Sequence, residues 1–288
     1  MIPNAFEYHA PTTLGDAIRL LEAHPDEAKL LAGGHSLLPM MKLRFAEPTH
    51  LVDINGIDSL RGVRLDGDSV VIGAMTTESQ LIASDVLAAH CPLLPEAARN
   101  ISDPQVRNRG TIGGDIAHGD PANDHPALML ACGADFVLTG PGGNRTVAAA
   151  DFYLGTYWTA LEETEILTEI RIPAFPAGTG SAYCKLKRKQ GDWATAASAV
   201  VLRIQGGTCT EARIGLTNVG PMALNATDAA AALVGTAVDE PAIEAAARAA
   251  MAICEPAEDL RGDAEYKTHM AGEMTRRAIR LARERATG

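Results

Sequence analysis

Two glycine-centred stretches, Ala32-Gly33-Gly34-His35-Ser36 and Thr111-Ile112-Gly113-Gly114-Asp115, stand in separate halves of the first 120 residues of this chain. Glycine lacks Cβ, so consecutive glycines can turn tightly and bring backbone N–H groups close to an anion. Two such loops predict a crevice between two lobes that embraces the pyrophosphate of one dinucleotide. The first stretch lacks the spacing of Gly-x-Gly-x-x-Gly and the Gly-Lys-Ser/Thr ending of a phosphate loop, so by itself it reads either as a turn or as a ligand loop. The second has a cationic approach, Arg107-Asn108-Arg109-Gly110. Those arginines serve either phosphate or structural ion pairs. Thr111 can donate its hydroxyl to phosphate, whereas Asp115 suits a ribityl or ribose hydroxyl and would repel phosphate.

A chain of 288 residues, 47% hydrophobic, has enough apolar material for two or three modest domains. Its formal charge of −11 opposes non-specific attraction to nucleic acid and to anionic membrane. No basic segment leading into an apolar run opens the chain, and no stretch supplies a membrane span, so a soluble cytoplasmic protein is expected. Cys91, Cys132, Cys184, Cys209 and Cys254 are scattered without CxxC or Cys/His spacing. Neither disulfides, nor an iron–sulfur cluster, nor a metal of the chain's own is expected.

Apolar spacing at Leu14, Ala17, Ile18 and Leu21 predicts a helix. Lys29–Ala32 and Leu51–Ile54 predict short strands, and Val63–Leu65 with Val70–Ala74 a hairpin about Asp66-Gly67-Asp68. Helical segments are expected at 79–87 and 93–98, a packing helix at 127–131 and a strand at 135–138. Pro173, Pro176, Gly178 and Gly180 mark a boundary. Beyond it, 195–204 and 212–219 read as strands or buried helices, and 229–233, 243–253 and 266–283 as helices. Units of 1–56, 57–177 and 178–288 are expected.

The polar stretch His118-Gly119-Asp120-Pro121-Ala122-Asn123-Asp124-His125 offers metal-ligand types without metal spacing, and reads better as a helix start with Asp124 facing a cofactor edge. His35 suits backbone positioning more than proton transfer, and Glu162 and Glu163 suit the surface. The basic run Lys185, Lys187, Arg188 and Lys189, followed by Trp193, reads as a solvated edge strand or as cofactor or partner recognition. No catalytic constellation is legible.

In combination, Pro3–Tyr8, Ala32-Gly33-Gly34-His35-Ser36-Leu37-Leu38-Pro39, Val52-Asp53-Ile54, Ile112-Gly113-Gly114-Asp115 and Ala182-Tyr183-Cys184-Lys185 through Asp192-Trp193-Ala194 resemble the FAD-binding medium subunits of the xanthine dehydrogenase/molybdenum hydroxylase family. Within it the resemblance runs toward the branch that oxidises carbon monoxide. The resemblance implies an α+β fold, with a two-lobed FAD-binding region of the vanillyl-alcohol-oxidase/PCMH type followed by a C-terminal α/β domain. It implies FAD held by Ala32, Gly33, Gly34, His35 and Ser36 and by Thr111, Ile112, Gly113, Gly114 and Asp115, with Asp124, Lys187 and Trp193 as further contacts. Many relatives carry Asn where this chain has Asp115, so an amide contact does not transfer unchanged. The implied partners are a large molybdenum-cofactor subunit and a small subunit with two [2Fe–2S] clusters, in a dimer of heterotrimers. Electrons would pass through FAD to a quinone or another acceptor, with the complex at the inner face of the membrane. The competing readings are a medium subunit serving aldehyde, xanthine, nicotinate or aromatic thioester oxidation, an independent FAD oxidase, and a cofactor-free assembly protein.

Overall fold

A computed structural model describes residues 2–288. The first lobe comprises β1 (Glu7–His9), α1 (Leu14–Ala23), β2 (Ala28–Leu31), α2 (Leu37–Leu43) and β3 (His50–Asp53). The Thr13 side chain accepts from the Asp16 N–H and starts α1, satisfying a donor that the first helical turn leaves free. Ala17, Ile18 and Leu21 then share one face, which packs with Ala28 and Val52 of a parallel sheet ordered β1-β3-β2. α2 is not foreseen by the sequence reading. It begins two residues beyond a glycine pair, after His35 and Ser36, and carries Pro39 in its first turn, where the missing N–H costs nothing. It stops at Arg44, which takes a left-handed conformation with φ 62°.

The second lobe runs through β4 (Val63–Asp66), β5 (Ser69–Gly73), α3 (Glu78–Ile82), α4 (Asp85–His90), α5 (Leu93–Ala98), α6 (Pro104–Arg107), α7 (Ile112–His118) and α8 (Asp124–Cys132). It closes with β6 (Asp135–Gly140), β7 (Gly143–Ala148), α9 (Ala149–Phe152), β8 (Tyr153–Gly155), β9 (Trp158–Thr159) and β10 (Ile166–Pro173). The β4–β5 hairpin forms as its alternation predicts and enters an antiparallel sheet ordered β4-β5-β10-β6-β7. The central strand, β10, escapes the sequence reading. Thr168, Glu169 and Arg171 interrupt its apolar residues, its partners are distant in sequence, and its register with β6 shifts between Leu167 and Glu169.

The third sheet is formed by β11 (Thr179–Leu186), β12 (Ala196–Gln205), β13 (Thr208–Thr217) and β14 (Leu224–Asn225), followed by α10 (Thr227–Ala231), α11 (Glu240–Ala252) and α12 (Ala264–Thr287). The segments open to either strand or helix are strands. Side chains alternate along β12, so both of its faces are used. Ala197, Ala199 and Val201 join the core shared with α8, while Ala196, Val200 and Leu202 join the core shared with α12. Glycine permits the closest approaches on each side. A Cβ on Gly215 would run into the Ala127 carbonyl of α8, and one on Gly180 into the Ala282 carbonyl of α12. Among the described residues no helix is long and apolar enough to cross a membrane.

Gly215 therefore fixes how the third sheet docks on the middle lobe. Gly215→Ala should destabilise the chain by roughly 1–3 kcal/mol, the usual cost of overpacking, and lower the melting temperature by several degrees. Gly142→Ala, at a position with open space around the added carbon, should leave it unchanged in the same calorimetric scan.

Candidate functional site

The loop after β2 and the loop before α7 meet. A Cβ built on Gly33 would lie 2.5 Å from the Arg109 carbonyl oxygen and 2.8 Å from Gly110 Cα, and one on Gly114 would lie 3.4 Å from Ala32 Cβ. A side chain on Gly33 has no room between these backbones, whereas one on Gly114 would meet Ala32 at ordinary contact distance and be crowded instead by Thr111 Oγ1 at 2.8 Å. The second loop is fixed to the middle lobe by Ile112 N–H donating to Thr76 O at 3.0 Å and Gly113 N–H to Ala74 O at 2.8 Å. Gly113 itself has no room for a side chain beside Ala74. Thr111 accepts from the Gly114 N–H at 3.3 Å and caps α7. The first loop is held by Asn55, whose amide donates to Ala32 O at 2.8 Å, and Gly34 turns it with φ 77°. His35 Nδ1 lies 3.0 Å from Gly33 O, an arrangement that positions the backbone. Among the described residues the N–H groups of Gly34, His35 and Ser36 have no protein acceptor, so three consecutive donors remain for an anion.

Asp53 closes the edge of the first loop. Burial opposes its ionisation, but the Tyr8 hydroxyl at 2.6 Å, the Asn55 amides and the Arg109 charge outweigh it and hold the carboxyl below its ordinary range. Arg109 thus faces a carboxylate's field. Arg107 is spent on the Ile101 and Ser102 carbonyls at 3.0 and 3.2 Å. Neither Tyr8 nor Asn55, which both stabilise Asp53, is among the site residues the sequence singled out: Asn55 binds it locally from two residues on, whereas Tyr8 reaches it only once β1 lies beside β3.

Beneath the second loop lies a buried set of ionisable groups. Glu78 Oε1 and His125 Nε2 are 2.8 Å apart, both withdrawn from solvent. Asp124, the first residue of α8, accepts from the Tyr183 hydroxyl and from Lys185 Nζ, the latter at 2.7 Å. Asp115 is turned inward, with Oδ2 accepting from the His125 N–H at 3.3 Å. Burial disfavours the charge of His125 and pulls its pKa down, yet Glu78, Asp115 and Asp124 override this and lift it to about 9. Burial is the main force on Asp115 and, with Glu78 and Asp124 helping against His125, lifts it to about 7. Three carboxyls face two cations here, so a proton on Asp115 brings the set to neutrality. Glu78 and His125 were not foreseen as partners: Thr77-x-x-Gln80 reads as an ordinary capping box, and nothing local indicates that Glu78 points into the core.

Lys187 donates to the Asn100 carbonyl at 3.2 Å, and burial followed by the charge of Lys185 lowers its pKa. Trp193 is half exposed, with the Arg261 guanidinium 5.7 Å from its ring centroid, a cation–π distance. The preceding residue anchors this turn. Burial disfavours the charge of Asp192, but Arg261 and Arg188 at 2.8 and 2.9 Å hold its carboxyl down at about 2. The basic run thus divides: Lys185 is buried against Asp124, Arg188 braces the turn, and Glu162 and Glu163 lie exposed elsewhere. The structure brings the two glycine loops together and gathers Asp115, Asp124 and Lys185 behind the second. Lys187 and Trp193 belong to a turn that lies against residues 100–102.

Residues 4–175 match the FAD binding domain in molybdopterin dehydrogenase, and residues 181–282 match the CO dehydrogenase flavoprotein C-terminal domain. The chain is 63% identical to the carbon monoxide dehydrogenase medium chain of Hydrogenophaga pseudoflava, covering 98% of both proteins, and 56% identical to that of Afipia carboxidovorans, covering 99% of both. It superposes with a TM-score of 0.98 on a chain, 65% identical, in the structure of carbon monoxide dehydrogenase from Hydrogenophaga pseudoflava lacking the Mo-pyranopterin moiety of the molybdenum cofactor, covering 99% of each.

The inward carboxyl makes a test of the electrostatics possible. Because Asp115, partly buried, has a folded pKa of about 7 against an ordinary 3.8, the protein loses stability as pH rises from 3.8 through 7, the unfolded chain ionising more readily. Asp115→Asn should therefore melt several degrees above the parent at pH 8, with the gap shrinking toward pH 5. An equal gap at both values would contradict the assignment of a reluctantly ionised carboxyl.

Proposed function

The chain belongs to the FAD-binding subunits of the molybdopterin dehydrogenases, and from that family we propose that it serves as the flavoprotein medium subunit of a carbon monoxide dehydrogenase. The identity of 63% along nearly the whole length of a carbon monoxide dehydrogenase medium chain supports the substrate assignment. Carbon monoxide would be oxidised at a molybdenum centre in a large partner subunit and electrons relayed by a small partner with two [2Fe–2S] clusters. The assembly proposed is a dimer of heterotrimers in the cytoplasm, resting on the inner membrane face through contacts that need no spanning helix.

The observation that carries the cofactor site is the meeting of the two glycine backbones at Gly33 and Gly110. Residues Ala32 to Ser36 would hold the pyrophosphate from one side with the free amides of Gly34, His35 and Ser36, and Thr111 to Asp115 from the other. Asp115 contributes through its backbone and through the charge balance behind the loop, since its carboxylate faces His125. Asp124, fixed by Tyr183 and Lys185, would be a rigid polar border, and Lys187 and Trp193, on the turn against residues 100–102, would be further contacts. When bound, FAD supplies the carrier that takes up single electrons and passes them on in pairs to a quinone or another acceptor. The protein's own task is to orient that carrier and to keep the buried charges around it fixed.

Two measurements test this reading. Carbon monoxide added anaerobically should bleach the flavin of the chain assembled with its large and small partners, and leave the flavin of the isolated chain oxidised. A fully loaded complex that carbon monoxide does not reduce, but an aldehyde or N-heterocycle does, would move the chain to another branch of the family. Gly33→Val and Gly114→Val should weaken FAD retention by roughly tenfold or more, about 1.4 kcal/mol, with Gly142→Val as the unaffected control. For Trp193→Ala, a shifted flavin absorption band is the expected outcome, and an unchanged spectrum would remove Trp193 from the site.

A further inference from the structure

His9, His24 and His50 are far apart in sequence, and no metal spacing connects them, yet they converge on one side of the first lobe. His9 ends β1, His24 caps the C-terminus of α1, and His50 opens β3. One ring nitrogen from each lies within 4.8 Å of the others. His9 Nε2 and His50 Nδ1 stand 3.0 Å apart, and the His24 and His50 rings are stacked at 3.6 Å between centroids. Two carboxylates border the group, with Glu7 Oε2 3.7 Å from His50 Nδ1 and Glu27 Oε2 3.8 Å from His50 Nε2. Among the described residues this is the one group of three histidine, cysteine or acidic side chains close enough to share a metal ion. The loop at 118–125, which held the ligand types considered from sequence, does not form one.

We propose that His9, His24 and His50 bind a divalent transition-metal ion of the zinc class. Neutral imidazole is a borderline-soft ligand that suits zinc, nickel and copper and not calcium or magnesium, which take oxygen donors. Two nitrogens each ~2.1 Å from one ion at the tetrahedral angle stand roughly 3.4 Å apart. On binding, side-chain rotation would bring the nitrogens, now within 4.8 Å of one another, to that spacing, with the stacked rings fanning toward a common point. His9 and His24 are only partly buried.

The backbone beneath them is already fixed. Glu27 and Ala28 N–H groups donate to His24 O at 3.2 and 3.0 Å, His50 N–H donates to Glu27 O at 3.2 Å, and Glu7 N–H donates to Thr49 O at 2.7 Å. The three ligands thus sit on segments that are tied to one another, and little ordering remains to be done on binding. Glu27 would supply the fourth ligand, an oxygen, or, as an outer partner, orient His50 and add negative charge.

The ion would pin a three-residue edge strand and the end of α1 to β3, at the end of β2 opposite the Ala32–Ser36 loop: His24 precedes β2 and Ala32 follows it. This site does not depend on the cofactor reading.

Zinc titrated calorimetrically into the untagged, FAD-loaded chain, stripped beforehand with chelator, tests the proposal. One equivalent should bind, and the melting temperature should rise. His24→Asn, on a cap outside the sheet, should weaken that binding at least tenfold and abolish the rise while retaining FAD and the far-ultraviolet spectrum. His269→Asn, an exposed histidine far along the chain, should bind as the parent does. His50→Asn repeats the test at the strand. Absence of saturable zinc binding, or equal binding by the parent and His24→Asn, would overturn the site.

Discussion

The contact between Gly33 and the Arg109–Gly110 backbone is the constraint on which the relation of the first two lobes depends. A side chain on Gly33 would force the loops apart, and every polar group aimed into the crevice would shift with them. The contact is reinforced from both sides. Arg61 donates to Met75 O at 3.0 Å and to Asn55 O at 3.1 Å, so one guanidinium joins the support of the first loop to the end of β5. Gly113 N–H on Ala74 O and the bridge between Thr77 and Thr111 secure the second loop to the same strand end. The crevice is therefore an extension of the five-stranded sheet rather than of mobile loops, which suits a site that must hold a redox cofactor at a fixed position.

The third lobe completes the electrostatics of the second. Asp124 opens α8 in the middle lobe, but its partners Tyr183 and Lys185 stand on β11, and β12 and β13 close the apolar surface around that helix. Removing either cation from the group of Glu78, Asp115, Asp124, His125 and Lys185 would leave buried carboxylates uncompensated, an expensive arrangement at low dielectric. The docking of β13 on α8 and the charge balance behind the second glycine loop are thus one structural event. The same lobe carries the Trp193 turn, braced through Asp192 by Arg188 and Arg261.

Much of the fold was legible in local pattern. α1 follows from Thr13 and its apolar spacing, the β4–β5 hairpin from alternation about Asp66-Gly67-Asp68, and α12 from its long helical run. β10, α2 and β1 were not legible. β10 is a strand because β5 and β6 flank it, α2 begins against a glycine pair and contains a proline, and β1 is too short to carry a period. At the site, the glycine loops and Asp124 were visible as motifs, whereas Glu78, His125, Tyr8 and Asn55 look like ordinary capping, loop and turn residues until burial and pairing are known.

By itself the sequence determined where backbone freedom is needed, which segments alternate or turn, and which family's motifs the chain carries, because these properties reside in residues close together along the chain. Only the tertiary structure decided that the two glycine backbones touch, that Asp115 faces His125 instead of the crevice, and that His9, His24 and His50 converge. Each of these depends on the distance and dielectric between groups far apart in sequence, quantities that come into existence only when the sheets are assembled and water is excluded between them.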